Sequence, residues 1–138
     1  MNARFKPLLC IGAVTQVMEH LALVVEDEKP LRTIYEMVLK DIGFKIIHAT
    51  DGQQAIEVLQ ETTPDIVFLD MLLPRVNGTT VLDYLHTAPH LQNTHVVVVT
   101  AHDRFSHAGL LRSQDEFLLK PIHPKDLRNA AQRFMAET

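Results

Sequence analysis

Four apolar runs in this chain each end on a polar residue. Leu21–Val25 runs into Glu26-Asp27, Ile66–Leu69 into Asp70, Val96–Val99 into Thr100, and Phe117–Leu119 into Lys120-Pro121. Continuous Val/Ile/Leu runs, as opposed to alternating ones, mark parallel strands covered on both faces. Between them the apolar period changes. Pro30 suits a first helical turn, and Leu31, Ile34, Tyr35, Val38, Leu39 and Ile42 then recur at helical spacing up to Gly43, which suits the stop position. Phe44–His48 reads as a second strand, and its Lys45 and His48 suit a sheet edge. Asp51-Gly52 is a turn and cap signal, followed by a helix with Ala55, Ile56, Val58 and Leu59 that ends before Pro64. Asp65–Leu69 is the third strand, Leu72–Asn77 a loop, and Gly78 to about His86 a helix. His95–Val99 is the fourth strand. A short helix is expected near Ser106–Arg112, although Gly109 interrupts a thin apolar face. Glu116–Leu119 is the fifth strand, and Pro124 opens a last helix with Leu127, Ala130, Ala131 and Phe134 on one side. Five β-α units imply a parallel sheet with right-handed crossovers and helices on both faces.

Composition adjusts this picture at a few points. A length of 138 residues fits one domain. Thirteen Lys+Arg against seventeen Asp+Glu, with no long run of either sign, argue against direct nucleic-acid binding, which needs a basic patch. The hydrophobic content of 46% is too interrupted for a membrane span, so no membrane insertion is expected. The single Cys10 has no internal disulfide partner, which fits a reducing, cytoplasmic setting. Residues 1–20 are expected to be an N-terminal extension to a domain at 21–138. Arg4 and Lys6 precede the apolar stretch Leu8–Val14, loosely like a signal peptide, but the stretch is at the lower length limit and no small-residue cleavage site follows. Leu9 before Cys10 is a poor match to a lipoprotein anchor. The plainer reading is a surface appendage or a mis-assigned start, with Met18 the natural alternative.

The polar strand ends carry the chemistry. Ligands of open α/β sheets bind beyond the carboxyl ends of the strands. If the four runs are neighbours, Glu26, Asp27, Asp70, Thr100 and Lys120 converge in one cleft. Like-charged carboxylates at 4 Å repel by about 4 kcal/mol at an effective dielectric near 20. Protonation or a divalent cation relieves that repulsion, and an oxygen-only set with room for water suits Mg²⁺. Asp70 is the best nucleophile, because a carboxylate can accept a phosphoryl group as an acyl phosphate. Lys120 can supply an amine and Thr100 a hydroxyl to the phosphoryl oxygens. Each residue alone has a blander reading: acids favour helix N-termini, a threonine suits a strand end, and most lysines are solvated. Only the joint placement points to phosphoryl chemistry.

From about Leu21 to Phe134 the sequence resembles the receiver domain of two-component response regulators, in the single-domain form of the chemotaxis regulators. The resemblance rests on Val24-Val-Glu-Asp-Glu28, Ala49-Thr-Asp-Gly52, Asp65-Ile-Val-Phe-Leu-Asp-Met71, Pro74 with Gly78, Thr100-Ala101 and Phe117-Leu-Leu-Lys-Pro121. It implies a flavodoxin-like doubly wound α/β fold with a five-stranded parallel sheet of order 2-1-3-4-5. Asp70 is then the phosphoacceptor. Asp27, Asp70 and the backbone carbonyl of Leu72 would ligate Mg²⁺ or Mn²⁺ directly, with Glu26 acting through water. Lys120 would pair with the acids or the phosphate, and Thr100 with Phe117 would form the switch pair. Lys120-Pro121 would be a cis peptide. The implied partners are a sensor histidine kinase or histidine phosphotransfer protein and a downstream protein target, with a homodimer left open. The implied catalysis is Mg²⁺-dependent self-phosphorylation and autodephosphorylation, without turnover of an external substrate.

The departures fall in one place. The segment between Thr100 and Lys120 is short for the family, and Ser113-Gln114 stands where a Gly-Ala pair is usual. Leu72 and His102 occupy positions that border the attacking water's path in receivers. The last helix runs to Thr138, so no output domain is expected to follow. Two other readings compete. A pseudo-receiver would keep the fold and bind partners without phosphorylation; the altered segment favours it, and the intact acid–Thr–Lys set opposes it. An aspartyl phosphatase or mutase would carry a second acid two residues after the nucleophile, where this chain has Leu72. The eight histidines give no metal pattern: Pro89 separates His86 from His90, and His20, His48, His95, His107 and His123 are scattered. No glycine-rich nucleotide-binding motif occurs.

Overall fold

The computed structural model describes residues 5–10, 13–102 and 109–137, with side chains from residue 19 onward. Its centre is a parallel sheet of five strands: β3 (Leu21–Val25), β4 (Lys45–Ala49), β5 (Ile66–Asp70), β6 (His95–Thr100) and β7 (Glu116–Leu119). Their order across the sheet is β4-β3-β5-β6-β7, which is the 2-1-3-4-5 arrangement that the resemblance implies. β4 lies at an edge, where its Lys45 and His48 belong. Among the described residues, α1 (Lys29–Ile42), α2 (Gly52–Glu61) and α3 (Gly78–Thr87) connect successive strands, and α4 (Pro124–Ala136) follows β7.

Successive strand residues point to opposite faces, and here both faces are covered. Leu23, Val25, Val67, Leu69, Val96 and Val98 pack with Ala55 and Leu59 of α2 and Val81, Leu82 and Leu85 of α3. Ala22, Val24, Ile66, Phe68, Val97 and Val99 pack with Tyr35, Val38 and Leu39 of α1 and with Leu127, Ala130, Ala131 and Phe134 of α4. The continuous apolar runs are thus two interleaved core faces. Helix boundaries follow local chemistry. Asp51 caps α2 by accepting the Gln54 N–H at 2.8 Å, and Asn77 caps α3 by accepting the Thr80 N–H at 3.1 Å. Gly43 ends α1 with φ of +110°, a left-handed conformation that glycine adopts without steric penalty.

The structure adds one element and changes one expectation. Phe5–Cys10 (β1) and Ala13–Met18 (β2) pair as an antiparallel hairpin forming a separate two-stranded sheet, where the sequence shows only an apolar stretch. The helix expected near Ser106–Arg112 is not helical from Gly109 to Arg112; residues 103–108 lie outside the described residues. Gly109 has φ of +66°, and the Arg112 N–H turns to the Asp115 carboxylate at 2.9 Å instead of a helical carbonyl. No helix among the described residues is long and apolar enough to cross a membrane.

Candidate functional site

The acids leave the sheet at its centre, because β3 and β5 are neighbours with β4 and β6 outside them. The Glu26 N–H donates to the Ala49 carbonyl at 3.0 Å, prolonging the strand pairing by one step. Asp70 is the last residue of β5 and stands opposite Val99 of β6. On the far side, the Lys120 N–H donates to the Thr100 carbonyl at 2.8 Å, and a cis Lys120–Pro121 peptide follows. Gly78 holds the loop after Asp70 close to the strand. A Cβ there would lie 2.4 Å from the Met71 Cα and 2.7 Å from the Asp70 carbonyl oxygen, so only glycine fits.

The geometry unites four of the expected residues directly. Lys120 Nζ donates to Glu26 Oε1 and to Asp70 Oδ2, each at 3.1 Å. Asp70 Oδ1 accepts the Leu72 N–H at 3.1 Å, and Glu26 Oε2 accepts the Glu28 N–H at 3.2 Å. Carboxylate oxygens of Glu26, Asp27 and Asp70 all lie within 4.8 Å of one another. Glu26 and Asp70 are buried, at 1% and 6% exposure, while Asp27 is exposed. Glu26 is therefore not a solvated strand end, and Lys120 is not a solvated lysine. Thr100 is fully buried at the end of β6, and its Oγ1 accepts the His102 N–H at 3.4 Å. Phe117 is half-buried on β7 beside Val98, against the core face of α2 and α3. Leu72 is exposed.

The charges respond to this crowding. Burial first, and then the Asp70 carboxylate, push the Glu26 pKa up from 4.5 to about 7, although Lys120 and the Glu28 N–H pull it down. Burial works against the Lys120 charge, but Glu26 and Asp70 outweigh it together and raise the Lys120 pKa. Tyr35 of α1, buried against Phe68 with ring centroids 5.3 Å apart, has its phenol held well above the usual value by burial and by the same two acids. One ammonium faces two acids, Glu26 and Asp70, with the Asp27 carboxylate beside them. An all-oxygen set of three carboxylates, one of them open to solvent, fits a hard divalent cation such as Mg²⁺.

The family described as the response regulator receiver domain matches residues 22–132. This chain belongs to that family. Among curated relatives, the phosphate regulon transcriptional regulatory protein PhoB of Escherichia coli K12 is 35% identical over 114 residues, covering 80% of this chain and 49% of PhoB. The chain thus spans about half the length of the PhoB proteins it matches. Protein PilG of Pseudomonas aeruginosa is 30% identical over 110 residues, covering 78% of this chain and 82% of PilG. The signal receiver domain of a LuxO repressor protein from Vibrio parahaemolyticus superposes with a TM-score of 0.73 at 28% identity, covering 87% of this chain and 92% of that one. The fold is also that of the chemotaxis response regulator CheY4 of Vibrio cholerae, with a TM-score of 0.77 at 22% identity over 85% and 99% of the two chains. It is likewise that of the receiver domain of Pseudomonas aeruginosa sensor histidine kinase PA1611, with a TM-score of 0.75 at 23% identity over 86% and 98%. That domain was solved with a magnesium ion in its active-site cleft.

Sequence reasoning missed two neighbours of this receiver site. Tyr35 reads from the sequence as ordinary core, and nothing in its spacing says that it lies beneath the acids. Arg32, whose Nη1 donates to the Glu26 carbonyl at 3.1 Å, leaves only a faint signal: a basic residue six positions after an acidic strand end.

Proposed function

We propose that this receiver domain takes a phosphoryl group onto the Asp70 carboxylate in a Mg²⁺-dependent reaction, and that phosphorylation changes which protein it binds. The observation that carries this reading is the single ammonium of Lys120 bridging Glu26 and Asp70 beside Asp27. A lone structural ion pair needs one acid, whereas this site holds three.

In the transfer step an Asp70 oxygen attacks the phosphorus of a phosphohistidine. The new O–P bond forms as the P–N bond breaks, and the imidazole leaves with the electron pair. Asp27, Asp70 and the Leu72 carbonyl would hold the cation, with Glu26 acting through water. The bound cation supplies positive charge that offsets the developing charge on the phosphoryl oxygens. Lys120 exchanges one carboxylate contact for a phosphoryl oxygen. The Thr100 hydroxyl donates to another, and the Phe117 ring follows it inward. The two states differ by those contacts, so phosphorylation shifts an existing equilibrium in proportion to how differently the states hold the phosphate. Hydrolysis by water at phosphorus returns Asp70 and inorganic phosphate. The donor is a histidine kinase or histidine phosphotransfer protein, and the acceptor of the signal is a further protein.

The test is intact-mass measurement after incubation with Mg²⁺ and a small acyl phosphate. Wild type gains one phosphoryl group, and chelation of the metal abolishes the gain. Asp70→Asn gains none. An unlabelled wild type, under conditions that label a control receiver, would instead identify a pseudo-receiver.

A further inference from the structure

Helix α1 opens with an arrangement that its own dipole opposes. Its first turn contains no acidic residue, and its N-cap residue, Glu28, makes no capping bond with its side chain. Arg32 nonetheless sits in that turn, its N–H donating to the Glu28 carbonyl at 3.1 Å. A cation at a helix N-terminus is destabilising by about 0.3–1 kcal/mol. The guanidinium folds back past the start of the helix and donates through Nη1 to the Glu26 carbonyl at 3.1 Å.

That carbonyl belongs to the peptide unit joining Glu26 to Asp27. On its other side the turn is held by the Glu26 N–H on Ala49 and by the Glu28 N–H on Glu26 Oε2. The Asp27 carboxylate itself has no hydrogen bond or ion pair among the described residues, so its position rests on the backbone beneath it. The peptide plane that Arg32 pins is the one immediately before the Asp27 Cα.

We propose that Arg32 is a positioning residue for metal binding: by fixing the 26–27 peptide plane it aims the Asp27 carboxylate at the space shared with Glu26 and Asp70. The proposal rests on the reading of the acids as a divalent-cation site. Removing partners that orient metal ligands typically weakens metal affinity about 10–100-fold. Arg32 does not touch the reacting atoms, so its loss shifts the metal requirement and spares the chemical step.

The test uses Mn²⁺ as the probe, with free ion counted by electron paramagnetic resonance, on wild type, Arg32→Met and Arg32→Lys. Arg32→Met is expected to bind Mn²⁺ about tenfold more weakly, and Arg32→Lys, which keeps a donor for the carbonyl, to fall between the two. In acyl-phosphate labelling, Arg32→Met should need more Mg²⁺ for half-maximal rate and reach the wild-type rate at saturation. Should circular dichroism show Arg32→Met unfolded, Arg32→Leu, which also lacks a donor, serves the same comparison. Wild-type Mn²⁺ affinity in a folded Arg32→Met, or a lowered maximal rate with an unchanged metal requirement, overturns the positioning role alone. Failure of the wild type to bind Mn²⁺ overturns the cation site as well.

Discussion

Burial and the neighbouring Asp70 keep the Glu26 carboxyl protonated to about pH 7, against an ordinary value of 4.5. The folded chain therefore binds this proton more tightly than the unfolded chain does. Its contribution to stability is full below pH 4.5 and is lost as pH rises through 7. In chelator, the urea midpoint of wild type should fall from pH 5 to pH 8 more steeply than that of Glu26→Gln. Equal slopes in the two proteins would show that Glu26 does not titrate in that window. Lys120 works in the opposite sense, as the one ammonium between two buried acids. Lys120→Met should lower the metal-free thermal midpoint and slow labelling at least tenfold, in line with the loss of one preorganised electrostatic donor; an unchanged labelling rate would remove it from the chemistry. At this scale the sequence reveals the residue types and conceals their environments. Glu26 and Asp27 read alike as a pair of strand-end acids, yet one is buried and the other exposed. Which carboxylate turns inward depends on how far the pairing of β3 with β4 continues, and the Glu26–Ala49 bond continues it by one residue. Arg32 stays hidden because a side chain bonded to a backbone carbonyl leaves no pattern in residue types.

Two elements around the site show what periodicity can and cannot predict. The β5–α3 loop is legible through its Pro74 and Gly78, and the structure supplies the reason for the glycine in the contact with the Asp70 and Met71 backbone. Gly78→Ala should destabilise the fold by about 1–3 kcal/mol, the usual range for overpacking, and slow labelling of Asp70, as read by urea titration and intact mass. A neutral Gly78→Ala would mean that the loop can withdraw from the strand freely. The segment ahead of β7 is different. Its thin apolar face points to a short helix that Gly109–Arg112 does not form, and the order at Gly109–Asp115 comes from polar contacts that no hydrophobic period reports. The fully buried Asp115 side chain accepts from the Arg112 N–H at 2.9 Å, from Arg112 Nε and Nη2 at 3.1 Å each, and pairs with His86 Nε2 of α3 at 2.9 Å. Gln114 Nε2 donates to the Gln92 carbonyl at 3.0 Å. The Ser113-Gln114 turn is thus tied to the end of α3 and the residues after it, where the family usually has Gly-Ala. Asp115→Ala strands a half-buried guanidinium and should cost about 3–5 kcal/mol. A loss below 1 kcal/mol would show that the short segment is held by Leu110 and Leu111 on the core instead.

Across the whole molecule, the apolar runs made five parallel strands legible, and the resemblance to receiver domains supplied their order, which the sheet adopts. The N-terminal hairpin was the least legible. Its apolar stretch has no alternation to mark a strand, and the hairpin pairs with itself without joining the five-stranded sheet. A chain begun at Met18 should therefore keep its urea midpoint and its labelling rate, and a collapse of either would make the hairpin part of the receiver fold. The central claim concerns Asp70, and reduction tests it most directly. Borohydride converts an aspartyl phosphate to homoserine, so wild type labelled with acyl phosphate, reduced, digested and sequenced by mass spectrometry should carry homoserine at position 70. Homoserine at position 27, hydroxynorvaline at position 26 or 28, or unreduced aspartate at position 70 in a protein that has gained a phosphoryl group, would contradict it.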